Sequence, residues 1–274
     1  MIELIIGYVK IPLILTTFPA GEVHVRINDN EGYCPQGKVT LKANLRSSND
    51  VLWLLNVTDA VRRKYGYDTD IKLIMPYIPY AQQDRVCNEG ESLSINVFAN
   101  LINSQGYSEV VVYDPHSDVA PALIDNCTVV EQHRFIENIN LDKNNTILVS
   151  PDAGANKKTF KVVQKTGFQE FIRADKTRDT LTGDVTETTI FSSKERINGK
   201  DLLIVDDLCI GGKTFIELTK KLKELTTGDI YLYTTHGIYS KGVHVLINAG
   251  IKHLYTANPW CDNVDEDFIT VVNY

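Results

Sequence analysis

The sequence predicts an α/β protein made of two tandem doubly wound domains, each on a mainly parallel sheet. Three observations carry that expectation. Short β-branched runs alternate with helical patterns along the chain, the order that βαβ units produce. In each half an apolar run enters a polar loop containing Asp, and after a helix another run ends in Asp, as strands do at the ligand side of an open sheet. The 274 residues, 43% hydrophobic and 23% charged, supply apolar surface for two modest cores and exclude a disordered or low-complexity chain.

In chain order, strands are expected at 71–75, 110–113, 147–149, 202–205 and 230–233. After Asn49 and Asp50, Val51, Leu54, Leu55, Val57 and Val61 share one side of a run that stops near Gly66, the pattern of a capped amphipathic helix. Phe215, Leu218, Leu222 and Leu225 make a second helix ending before Gly228. The polar stretch ENINLDKNN at 137–145 reads as a junction, which puts domains at 1–140 and 141–274 with the boundary good to about ten residues. The two halves echo one another. LIMP at 73–76, leading to Asp84, compares with LVSPD at 148–152, and VYDPH at 112–116 with IVDD at 204–207, as duplication of one domain type would produce.

Charge narrows the partners. With 28 Lys and Arg against 35 Asp and Glu, the net charge of −7 has the wrong sign for holding nucleic acid through its phosphates, although a basic pocket for a small anion remains open. No run reaches the roughly 18 apolar residues of a membrane helix, and the opening MIELII lacks the basic start of a signal peptide. A soluble, cytoplasmic chain with no membrane or nucleic-acid partner is expected. Five cysteines without a CxxC spacing read as free thiols, and six histidines without HExxH remove the usual helical zinc motif, so any metal should be hard and carboxylate-bound.

The sharpest signal is LLIVDDLCIGGKT at 202–214. An apolar strand ends in Asp206 and Asp207 and turns through Gly211 and Gly212 into a helix opened by Lys213 and Thr214. Backbone N–H groups at such a turn suit a phosphate, and paired carboxylates suit sugar hydroxyls; an ordinary βα loop with Asp caps is the plain alternative. A P-loop is disfavoured, because that motif needs glycine where Asp207 stands. The segment resembles the phosphoribosyl-pyrophosphate loop of type I phosphoribosyltransferases. Four more segments match ribose-phosphate pyrophosphokinases in the same order: FPAGE at 18–22, PYIPYAQQDR at 76–85, YDPHS at 113–117 and VSPDAG at 149–154. The resemblance covers roughly residues 15–260.

That resemblance implies two domains of phosphoribosyltransferase type and transfer of the β,γ-diphosphoryl group of Mg-ATP to the C1 hydroxyl of ribose 5-phosphate, releasing AMP. It implies Mg²⁺ on His116 and Asp152, and ATP contacts from Phe18, as a stacking face, and from Glu22, Gln83, Asp84 and His116. Lys176 and Arg178 match a catalytic Lys-x-Arg on a mobile loop running through Asp184. Asp206 and Asp207 would grip the ribose, and Gly211, Gly212, Lys213 and Thr214 the 5-phosphate. A homo-oligomer, dimer or hexamer, is implied as well.

Departures matter equally. Gln82 stands where the family has an arginine on ATP, with Arg85 or Lys158 as substitutes, and VCNEGES at 86–92 replaces a basic regulatory segment. The usual first strand–helix pair before the Phe-Pro segment is missing, which points to a reduced first domain and a smaller oligomer. In the phosphate loop the family's Asp-Thr-x-Gly-Thr has become Ile210-Gly211-Gly212-Lys213-Thr214, which opens room and adds a cation. Ribose 5-phosphate leads as acceptor on family frequency, and ADP-ribose competes because its 5-position carries a diphosphate. A phosphoribosyltransferase and a non-catalytic regulatory homologue are the remaining alternatives.

Overall fold

The computed structural model describes residues 1–33, 35, 38–178, 185–261 and 267–274, with 176–178 and 185–187 given by their backbone alone. The chain divides into two compact units, Met1–Val130 and Glu131–Tyr274, so the division falls ten residues before the boundary expected at 140. Residues 131–140 belong to the second unit, where Phe135 packs edge-on against Tyr274 at 5.4 Å between ring centres.

In the first unit, alternating apolar residues build the sheet: Ile2, Leu4 and Ile6 are buried on β1 (Ile2–Ile6), and Val39, Leu41 and Ala43 on β5 (Lys38–Ala43). With β2 (Val9–Ile11), β6 (Asp70–Ile74), β7 (Glu109–Tyr113) and β8 (Cys127–Val130) they form a six-stranded sheet of order β2-β1-β5-β6-β7-β8. β5 to β8 run parallel, whereas β1 lies antiparallel to both β2 and β5. A strand therefore does precede the Phe-Pro segment, but it returns through a hairpin rather than a helix. β3 (Leu13–Thr17) and β4 (Val23–Ile27) form a separate two-stranded ribbon.

α1 (Ser48–Tyr65) starts where Ser47 accepts the Asp50 N–H, and it ends at Gly66, whose φ of 110° suits glycine. Its buried stripe is Val51, Leu54, Val57, Thr58 and Val61. Thr58, not Leu55, completes that face, because its hydroxyl is satisfied by the Leu54 carbonyl and the Tyr107 hydroxyl. α2 (Ser94–Asn103) and α3 (Val119–Leu123) finish the unit.

The second unit centres on β12 (Asp201–Cys209), whose residues 202–205 are buried on both faces, as the unbroken apolar run requires. The sheet order is β11 (Val185–Phe191), β10 (Phe171–Arg178), β9 (Thr146–Ser150), β12, β13 (Ile230–Gly237), β14 (His253–Pro259) and β15 (Ile269–Val271). β9, β10 and β12 to β15 are parallel and β11 is antiparallel. α4 (His133–Ile136), α5 (Asn156–Thr166), α6 (Lys194–Ile197), α7 (Lys213–Leu222) and α8 (His244–Ala249) make the helical layer. α7 stops at Leu222, short of Leu225, and Gly228 then lets the chain pass against the Lys200 carbonyl, where a Cβ would collide. Cys87, Cys127, Cys209 and Cys261 are free thiols as expected, and Cys34 lies outside the described residues.

Candidate active site

β9 and β12 are adjacent parallel strands, so their carboxyl ends present Asp152, Asp206 and Asp207 side by side. The turn after β9 is locally fixed: the Asp152 carboxylate accepts the Ala155 N–H at 3.1 Å, Ser150 Oγ donates to the Asp152 carbonyl at 3.1 Å, and the missing side chain of Gly154 leaves room for that carboxylate. At the end of β12, Asp207 donates its N–H to the Asp206 carboxylate at 2.9 Å. Lys158, in the first turn of α5, places Nζ 3.7 Å from Asp207 Oδ2.

The Asp206 carboxyl is deep although the residue keeps some exposed surface. Burial, and then the charges of Asp207 and Asp152, hold its pKa well above the usual carboxylate range. Acceptors crowded in this way suit hydroxyl donors, which satisfy them without adding charge.

Past β12 the chain turns through Ile210 and Gly211, both reachable from solvent, to Gly212 at φ 76°, the N-cap of α7. Gly212 is required twice: by its left-handed backbone and by Leu246, whose Cδ2 lies 3.0 Å from where a Cβ would sit. No side chain caps α7, so its leading N–H groups face the loop. Cys209 lies beneath, its thiol pushed up to about 12 by burial. Lys213 and Thr214 open the helix as the sequence indicates. Lys241, which the sequence did not single out, lays its stem against the loop, with Cε 3.7 Å from the position a Gly211 Cβ would take.

Lys176 and Arg178 stand on β10, paired in register with Thr188 and Val185 of β11. Their backbone is thus part of an antiparallel ladder, not of the loop expected to carry them. The ladder is irregular between Thr177 and Arg178. The side chains of both cations and residues 179–184, including Asp184, lie outside the described residues.

The first unit holds Phe18, Glu22, Gln83, Asp84 and His116. Asp114 ends the buried run of β7 with φ 36° and donates its N–H to the Val130 carbonyl at 2.9 Å, a strained junction that throws His116 and Ser117 outward. The fold brings Asp84 to them. Arg85 Nε, 2.9 Å away, and the Ser117 hydroxyl hold the Asp84 carboxyl below the usual range, with His116 adding a weaker charge effect. Gln83 follows on the same turn, its N–H donated to the carbonyl of Tyr80, which itself sits at φ 66°. Gln82 reaches the Tyr77 hydroxyl at 3.2 Å. Phe18 and Glu22 close the tip of the β3–β4 ribbon, where Phe18 donates its N–H to the Glu22 carbonyl at 2.8 Å and exposes 47% of its surface. In 86–92, the Glu91 carboxylate accepts the N–H groups of Cys87 and Asn88, so an acid organises the segment where the family has basic residues.

Residues 2–106 match the model of the N-terminal domain of ribose phosphate pyrophosphokinase. The ribose-phosphate pyrophosphokinase of Thermococcus kodakarensis is 27% identical over 243 residues, 88% of this chain and 83% of that protein. That of Aquifex aeolicus is 28% identical over 265 residues, 93% and 82% of the two chains. Among solved structures, phosphoribosylpyrophosphate synthetase from Mycobacterium smegmatis superposes with a TM-score of 0.80 at 20% identity, over 97% of this chain and 87% of that one, and shares its fold. Two parallel-rich α/β sheets, the strand-end acids and these relatives agree: the chain is similar, over most of its length, to the ribose-phosphate pyrophosphokinases, which are enzymes.

Proposed function

We propose that the chain transfers the β,γ-diphosphoryl group of Mg-ATP to the C1 hydroxyl of a 5-phosphorylated ribose and releases AMP. The observation that carries this reading is the juxtaposition, at the ends of β9 and β12, of three carboxylates with the uncapped start of α7. Asp206 and Asp207 accept hydrogen bonds from the ribose hydroxyls, while the leading N–H groups of α7 take the 5-phosphate. The sugar is then held by both ends with C1 free. The C1 oxygen attacks the β-phosphorus of ATP, the bond from that phosphorus to the AMP oxygen breaks, and the hydroxyl proton leaves to solvent. Phe18 offers an exposed ring to the adenine, with Glu22, Gln83, Asp84 and His116 as polar partners on the ATP side. Lys176 and Arg178 supply positive charge to the transferring group.

Mg²⁺ belongs to this chemistry. In the second unit the Asp152 carboxylate beside Asp206 and Asp207 is an oxygen donor of the kind a hard cation takes, and in the first unit His116 is a further candidate, each leaving most ligands to phosphate oxygens. When bound, the ion neutralises phosphate charge.

Ribose 5-phosphate is the first acceptor to consider. ADP-ribose is the second reading, favoured by Ile210, 43% exposed, and by the absence of a side chain at Gly211, on a flank of the phosphate loop lined by Lys241 and Ser240. AMP release from Mg-ATP against ribose 5-phosphate, ADP-ribose and free ribose tests the reading. AMP with a 1-diphosphate product is expected; ADP and orthophosphate instead would overturn it.

A further inference from the structure

Position 241 has no part in the family resemblance, yet the fold delivers it to the sugar side of the site. β13 runs beside β12, and the turn that follows it, residues 238–242, is pinned to the phosphate loop. Ile238 and Tyr239 donate their N–H groups to the Cys209 carbonyl at 2.8 and 3.3 Å. Ser240 donates its N–H at 2.8 Å and its hydroxyl at 3.2 Å to the Ile210 carbonyl. Tyr239 holds φ 50°, its ring occupying the space left by the missing side chain of Gly237 and its hydroxyl 3.2 Å from Thr234 Oγ1. Gly242 then takes φ 78°. A turn fixed at so many points presents residue 241 in one place.

There the Lys241 stem lies along the flank of Gly211, Cε and Cδ at 3.7 and 3.8 Å from the position of a Cβ, with Ser240 Oγ beside it at 3.7 Å. The residue is exposed, and it makes no ion pair among the described residues. The start of α7, which Gly212 leaves without a side-chain cap, belongs to the same loop and brings the positive end of a helix there. An ammonium held beside such a helix start favours an anion there, and an anion of higher charge more strongly.

We propose that Lys241 is a specificity-determining residue of the sugar subsite, whose ammonium binds charge carried beyond the first phosphate on the 5-oxygen of the acceptor. The identity of the ligand rests on the pyrophosphokinase reading above; the placement of the cation does not. A 5-monophosphate is served by the α7 N–H groups and Lys213, whereas a 5-diphosphate extends past Gly211 toward Lys241.

The test compares the full chain with Lys241→Gln and Lys241→Arg in two measurements: AMP release from Mg-ATP with ribose 5-phosphate or ADP-ribose, and calorimetric binding of each sugar without ATP. Lys241→Gln should weaken ADP-ribose, in KM and in Kd, about tenfold or more, with a smaller penalty, about threefold or less, for ribose 5-phosphate. Lys241→Arg should restore the preference. Equal effects on both sugars, or a kcat loss that arginine does not rescue, overturn the assignment. Absence of AMP release from the unaltered chain would overturn the pyrophosphokinase reading alone, since binding still decides whether Lys241 discriminates; binding of neither sugar would overturn both.

Discussion

Lys158 Nζ lies 3.7 Å from Asp207 Oδ2, which sets an ammonium from the first turn of α5 against the acidic end of β12. A fully buried pair broken on one side costs several kcal/mol, but Lys158 keeps 29% of its side-chain surface exposed, so a smaller coupling applies. A double-mutant cycle over Lys158→Gln and Asp207→Asn, read by urea unfolding, should give about 1 kcal/mol of favourable coupling. Strict additivity would mean that the pair is too screened to matter.

Asp206 should oppose stability with a definite pH dependence. Its folded-state pKa is raised above the ordinary 3.8 by burial and by Asp207 and Asp152, so the unfolded chain releases its proton first. As pH rises from about 4 through that raised value, stability attributable to Asp206 is lost, and it stays lost above. Asp206→Asn keeps the shape without the charge, so it should raise the melting temperature at pH 8 and leave pH 4 nearly unchanged in metal-free buffer. No gain at pH 8 would contradict the burial argument.

The same carboxylates should set sugar affinity. Replacing Asp206 and Asp207 together by Asn exchanges charge-assisted hydrogen bonds for neutral ones of about half the strength, so the sugar KM should rise strongly while the KM for ATP moves less. An unchanged sugar KM would place the acceptor elsewhere.

Lys176 should act on the transferring group rather than on ground-state binding. Lys176→Ala should then lower kcat by roughly 10² or more, with a smaller change in KM. An effect confined to KM would make β10 a binding strand only.

The two loop glycines should separate stability from selectivity. Gly212→Ala meets Leu246 at 3.0 Å in a left-handed backbone and should cost about 1–2 kcal/mol or more. Gly211→Ala meets only ordinary contacts at 3.7 Å, so its folding stability should hold within about 0.5 kcal/mol. Chemical denaturation of both variants checks the contrast.

Elements whose pattern is purely local were legible in the sequence. α1 has its cap, stripe and stop within twenty residues, and the core of β12 is an apolar run that any parallel sheet would bury. β1 was not, because its pairing with β5 joins residues more than thirty positions apart. Within the site, Asp206, Asp207, Gly212 and Lys213 stand next to one another in sequence and announce a phosphate turn. Lys158 and Lys241 reach the same acids and loop only through the order of β9, β12 and β13, a fact of topology that spacing along the chain does not carry. The position of Lys176 and Arg178 was misjudged for a related reason: a polar Thr-rich stretch reads as loop, yet β-branched threonines also pair well across an antiparallel ladder.

β12 occupies the middle of its seven strands, paired with β13 along most of its length and with β9 over Asp201 to Ile204. Amides in such a position exchange with solvent only when the whole unit opens, while edge strands and short helices open far more readily. The acids proposed to hold the sugar therefore follow directly on the part of the unit that opens last, and local fraying elsewhere leaves their spacing untouched. Heating or denaturant should consequently abolish sugar binding and the unit's global fold in a single transition, with no partly unfolded species that has lost only the acceptor site.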